Sequence, residues 1–173
     1  MSETGAINPS IEPLAFLVGR WRGRGRGVYP TIDSFEYEED VEFWHIGKPF
    51  LGYHQRTRLA GTGLPSHSES GFWRLLPVET AGNGGEADES RGRAIEATIA
   101  HPTGICEVLA GALVGQRIDV ATTTVALSPT AKEITEVERS IVVDGDELTY
   151  QLHMAAVGQQ LQLHLEGEMR RVG

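Results

Sequence analysis

With 173 residues, 40% of them apolar, the chain has the size and composition of one domain spanning 1–173, with an ordinary hydrophobic core. Its 24 acidic residues outnumber 15 basic ones, a formal charge of −9, which repels phosphate and anionic lipid and argues against nucleic acid as a partner. The single cysteine rules out an intrachain disulfide, the first five residues lack a signal-peptide pattern, and no apolar run approaches the ~20 residues of a membrane span, so a cytoplasmic location is expected.

The first predicted element is a short helix over 10–18, with Ser10 as its cap, Pro13 in its first turns, and Leu14, Leu17 and Val18 on one face. From there to the end the pattern changes to runs of period-two alternation, the mark of consecutive antiparallel strands. The predicted strands are 21–28, 35–43, 50–59, 67–76, 93–100, 105–113, 116–127, 132–143, 147–157 and 161–170. Turn residues separate many of them, including Gly61 to Pro65, Pro102-Thr103-Gly104, Gly115-Gln116 and Asp144-Gly145, all short enough for hairpins. About ten meandering strands with hardly any helix solve their edge problem best by closing, so the expected fold is an all-β, antiparallel up-and-down barrel. The segment 80–91 offers almost nothing to bury and is expected to be a mobile loop.

The first strand is unusual. Arg20, Arg22, Arg24 and Arg26 share one face, and the other is glycine apart from Trp21. Four glycines on one face point equally to the close approach of a backbone or flat ligand and to a barrel corner or bulge. The arginines are read as a solvated stripe opposite Glu36, Glu38 and Glu42 on the next strand. Gly23-x-Gly25-x-Gly27 opens no helix and lacks the Lys-Ser/Thr ending of a phosphate loop. No Gly-x-Ser-x-Gly elbow occurs, and Cys106, inside an apolar strand, reads as a small core residue.

The six histidines, His45, His54, His67, His101, His153 and His164, show neither helical i, i+4 spacing nor Cys/His clustering, so no multidentate metal site is expected. A single-histidine ligand remains open, because haem iron takes only one proximal imidazole from the protein. Alternation does not single one out. His164 shares parity with Gln160, Gln162 and Glu166, while Leu161, Leu163 and Leu165 form the apolar face. An inward His164 therefore requires a bulge or twist between Val157 and His164.

Gly19-x-Trp21-x-Gly23-x-Gly25, followed by Gly27-Val28-Tyr29-Pro30-Thr31-Ile32, resembles the opening motif of the nitrobindins, small haem-binding β-barrels. The resemblance continues through His45 to Phe50, His67 to Phe72, Ala100 to Ile105, Thr130 to Glu133, and Met154 to Gln159, and ends at Leu161-Gln162-Leu163-His164-Leu165. It covers about residues 14–170 of the chain. It implies a barrel of about ten strands holding one ferric haem b, with His164 as the proximal iron ligand and Thr31 and Lys132 at haem-contacting positions. It also places His67 near the distal face, where Ser66 replaces a bulkier residue of some relatives. The implied activity is isomerisation of peroxynitrite to nitrate at the iron, with nitric oxide as another ligand, in a monomer or homodimer. The residues alone leave open a lipocalin-like carrier of haem or another apolar ligand, and a nitric oxide sensor.

Overall fold

A computed structural model describes residues 5–77 and 92–173, so the segment 80–91 lies outside the described residues. A 3-10 helix, Pro9–Leu17, comes first. Its cap is Asn8 rather than Ser10: the Asn8 side chain accepts from the Ser10 N–H at 3.0 Å, and Ser10 already lies inside the helix. Proline within a short helix removes a donor. The turns close instead through tighter bonds such as Ile11 N–H to Asn8 O at 3.0 Å and Val18 N–H to Ala15 O at 3.1 Å.

Ten antiparallel strands follow: β1 Gly19–Tyr29, β2 Ile32–Trp44, β3 Leu51–Leu59, β4 Pro65–Leu75, β5 Arg93–His101, β6 Ile105–Val114, β7 Arg117–Leu127, β8 Ile134–Asp144, β9 Glu147–Ala156 and β10 Gln162–Val172. Each pairs with its sequence neighbours, and β1 pairs with β10, closing the barrel. Glycines at left-handed φ make the tight turns, among them Gly115 (φ 58°) and Gly145 (φ 58°). The second of these hairpins turns on Gly145-Asp146, one residue later than the sequence pattern suggested, because Asp144 already pairs with Glu147. Strand β8 begins at Ile134, which leaves Lys132 in the preceding loop.

The stripe on β1 resolves as a packing device. A Cβ on Gly23 would lie 1.9 Å from the Glu168 carbonyl of β10, and one on Gly25 or Gly27 would enter the rings of Tyr37 or Phe35. The glycines thus admit a neighbouring backbone and two aromatic rings, and the pairing with β2 shifts register between Gly27 and Tyr29. The arginines face outward and pair as charge predicts: Arg22 with Asp40 at 2.7 Å, Arg20 with Glu42, Arg24 with Glu38, and Arg26 with Glu166. All four pairs are solvent-exposed and add little stability each.

One end of the barrel is filled. Ile11, Leu14 and Leu17 of the helix plug it and pack on Trp21, Phe43, Leu51, Trp73, Ile95, Leu109 and Ile118, all buried. Trp21 donates its Nε1–H to Leu17 O at 2.8 Å, and the Arg171 guanidinium of β10 lies 4.1 Å over its ring while donating to Phe16 O and Val18 O. These contacts pin the helix to the closing strand. Cys106 is not part of this core: Ile105, Glu107 and Leu109 take the inward positions of β6, which turns Cys106 outward to solvent.

Candidate functional site

The other end is hollow. A cavity of about 770 Å³ opens there, in the range of small-molecule and cofactor sites, with Tyr29, Ile32, Phe35, Ile134, Met154 and Leu165 among its walls. His164, His67, Thr31 and Lys132 all border it, so the structure brings the four expected ligand-contacting residues to one cavity. Lys132 is exposed on the loop before β8, and Thr31 sits in the β1–β2 turn. By contrast Trp21 belongs to the opposite end, and Gly19, Gly23 and Gly25 shape β1 rather than the cavity wall.

His164 reaches the cavity through a bulge. On β10, Leu163 pairs with His153 and Leu165 with Leu152, so His164 is the extra residue between two consecutive pairs. Below it the odd positions, Leu165 and Met169, point inward. At the bulge His164 points inward as well, and Leu163 borders a separate groove with Val28 and Pro30. The shift falls at the histidine itself, which is why plain alternation places it outside.

The imidazole is locally organised. Its Nδ1–H donates to Val28 O at 3.1 Å, and the ring of Tyr29 meets it edge-on at 5.1 Å between centroids. Tyr29 is in turn fixed to the end of β9, where its hydroxyl accepts from Ala156 N–H at 2.8 Å. Burial pushes the His164 pKa below its ordinary value, against the opposing pull of the Val28 carbonyl. The ring is therefore neutral at pH 7, with its proton on Nδ1 and the Nε2 lone pair left for a ligand.

Across the cavity stands a polar wall. Counting around the ten strands, β5 is diametrically opposite β10. There His67 Nε2 and His101 Nδ1 lie 3.0 Å apart, His101 Nε2 meets Glu107 Oε1 at 3.0 Å, and Arg139 binds both Glu69 and Glu107. Glu69 also accepts from the Tyr53 hydroxyl at 2.7 Å. Burial alone would raise the Glu69 pKa, but the Arg139 charge and its hydrogen bonds hold it down at about 2. His67 is pushed below its usual value, mainly by burial. Deeper in the barrel, burial raises Glu39 to about 7 despite hydrogen bonds from Gln55 and Tyr150.

Sequence spacing gave no reason to expect such a cluster, because His67 and His101 come from different strands. A signal was nonetheless present. Glu39, Glu69, Glu107 and Arg139 each sit at an inward position of a strand whose neighbours of the same parity are apolar, such as Val41, Trp73, Leu109 and Ile141. Charges that interrupt an apolar face are costly unless paired, so four of them on one barrel foretell a buried ionic layer.

Comparison with known proteins agrees with this architecture. Residues 10–171 match the model of the "THAP4-like, heme-binding beta-barrel domain" family. The chain belongs to this haem-binding barrel family. It is 43% identical to peroxynitrite isomerase 1 of Mycobacterium tuberculosis over 97% of this chain and 98% of that protein. It is 44% identical to peroxynitrite isomerase 1 of Mycolicibacterium paratuberculosis over 95% and 96%. Among solved structures, the crystal structure of Rv2717c from M. tuberculosis superposes with a TM-score of 0.83 at 42% identity, over 97% of this chain and all of that one. The haem-binding barrel fold thus extends over essentially the whole chain.

Proposed function

We propose that this chain binds one haem b at the open end of its barrel through His164 and isomerises peroxynitrite to nitrate there. The observation that carries the reading is the bulged His164, a neutral imidazole with its Nε2 lone pair free at the wall of a large, mostly apolar cavity. The residues present fit the group. Ile32, Phe35, Ile134, Met154 and Leu165 supply apolar walls, Lys132 would offer a charge-assisted contact to a propionate, and Thr31 lines the same cavity. The Val28 carbonyl fixes the tautomer and raises the basicity of the coordinating nitrogen, as hydrogen-bonded second partners do for ligating histidines.

Ferric haem, when bound, supplies a Lewis acid and a one-electron partner for cleavage of a peroxo bond. The protein's own contribution is enclosure and charge. The barrel wall would shield reactive fragments from water, and Lys132 at its mouth would add positive charge. Nitric oxide would be a further small ligand for a haem held there. No acid or base of the chain is consumed, since peroxynitrite and nitrate have the same atoms and charge.

The test is haem titration followed by stopped-flow mixing with peroxynitrite. The wild-type chain is expected to give a saturating Soret band at one haem per chain and to accelerate decay to nitrate, and His164→Ala is expected to lose both. An unchanged Soret spectrum and unchanged acceleration in His164→Ala would overturn the assignment. Tight haem binding without acceleration would make the protein a carrier.

A further inference from the structure

The wall facing His164 contains a second set of donors that the proposed reaction does not use. His67 Nε2, His101 Nδ1 and Glu69 Oε2 converge: the nitrogens are 3.0 Å apart, and the carboxylate oxygen lies 3.4 Å from His101 Nδ1 and 3.9 Å from His67 Nε2. Three donors each ~2.0–2.2 Å from one tetrahedral ion are spaced about 3.3–3.6 Å from one another. The His101–Glu69 separation fits as it stands. The other two both run to His67 and close with a small rotation of it, the only one of the three that is substantially exposed, at 35% of its side chain.

Each of the two buried donors is held from behind. His101 directs its Nε2 at Glu107 Oε1, 3.0 Å away, which places the proton there and leaves the Nδ1 lone pair facing His67 and Glu69. Glu69 is anchored by Arg139 at 2.6 and 3.1 Å and by the Tyr53 hydroxyl at 2.7 Å. An imidazole backed by a carboxylate and a carboxylate backed by its own donors are the outer contacts that orient metal ligands. The charge balance points the same way. Glu69 and Glu107 contribute two negative charges and Arg139 one positive charge, which leaves one negative charge buried in the wall when both imidazoles are neutral.

We propose that His67, Glu69 and His101 bind a divalent first-row transition metal ion, of which zinc is the best match, with its remaining coordination positions open to the cavity. Two imidazoles and one carboxylate favour zinc or iron(II) over the all-oxygen sites of calcium and magnesium. The site needs neither His164 nor haem, so it stands or falls separately from the proposed isomerisation.

The tag-free full chain without haem, dialysed against chelator, is titrated with Zn²⁺ and with Co²⁺ as a spectroscopic probe. One Zn²⁺ per chain by elemental analysis and visible d–d absorption with Co²⁺ are the expected results. His67→Ala is expected to weaken binding by about 100-fold or more, since even outer contacts of a metal are worth about 10- to 100-fold. His67→Gln, which keeps the side chain's bulk, serves as a second variant should the alanine form fail to fold. His164→Ala is expected to bind the metal as the wild type does. Absence of stoichiometric uptake by the wild type, or equal Co²⁺ absorption in wild type and a folded His67 variant, would overturn the site and leave a shared hydrogen bond between His67 and His101 in its place.

Discussion

The two ends of this barrel are built from the same ten strands and the same alternating pattern, yet one is solid and the other hollow. At the closed end the inward positions carry Trp21, Phe43, Trp73 and Ile95, and the helix brings Ile11, Leu14 and Leu17 to fill what remains. At the open end the inward positions carry His67, His101, Met154 and His164 around about 770 Å³ of space. Between them lies the layer of Glu39, Gln55, Glu69, Glu107 and Arg139. The difference teaches that a barrel sheet is indifferent to its contents. What distinguishes core from cavity is the volume and polarity of every second side chain, together with the helix that plugs the filled end.

The strongest way to break this comparison is to hollow the solid end. Trp73→Ala is expected to cost about 3–5 kcal/mol in chemical denaturation, because the surrounding strands cannot collapse into the void. Met154→Ala, whose side chain already borders empty space, is expected to cost only about 1 kcal/mol. Equal costs would show that the cavity end is as tightly packed as the core.

A second prediction concerns the polar layer and is read in pH. Glu39 titrates near 7 in the folded chain because it is desolvated, whereas in the unfolded chain it has an ordinary carboxylate value. The folded state therefore holds this proton more tightly, and the contribution to stability falls as pH rises from about 4.5 to about 7. Glu69 has the opposite sign: held at about 2, it stabilises above the ordinary carboxylate range, and that contribution is lost as pH falls toward 2. Glu39→Gln is expected to flatten the decline between pH 5 and 8 in urea midpoints. A decline of unchanged steepness would mean that another group carries it.

The smallest expected effect is at the rim. Val157, a β-branched residue beside the cavity, has a φ of 46°, a conformation that suits glycine. Val157→Gly is expected to relieve about 1 kcal/mol of strain, visible as a raised midpoint in thermal unfolding. If the variant instead weakens haem uptake, the strain helps set the shape of the mouth.

The strand pattern was largely legible in the sequence because Phe35, Tyr37, Val41 and Phe43 alternate with Glu36, Glu38, Asp40 and Glu42, and the turns are marked by glycine. The helix was legible too, but its cap was not, since Asn8 and Ser10 are equally good caps in composition and only the Ser10 N–H bond distinguishes them. His164 could not be placed by periodicity, because a bulge is one extra residue and leaves no mark in a two-residue repeat. Its identification rested on the surrounding motif. The pairing of His67 with His101 was invisible for a different reason: β4 and β5 set it by register, and register depends on the whole sheet.

The strand that carries His164 is also the one that closes the ring, hydrogen-bonding to β9 on one side and to β1 on the other. The bond from the His164 imidazole to Val28 O spans that final seam, 136 residues apart in the chain. The proposed ligand imidazole is therefore oriented by a contact of large sequence separation, the kind that forms late and slowly in folding. An open barrel missing only its last pairing would have every wall of the cavity but no oriented histidine. On the proposed assignment, capture of the iron would report completion of the fold, and a chain cut before β10 would have lost its ligand and its seam together.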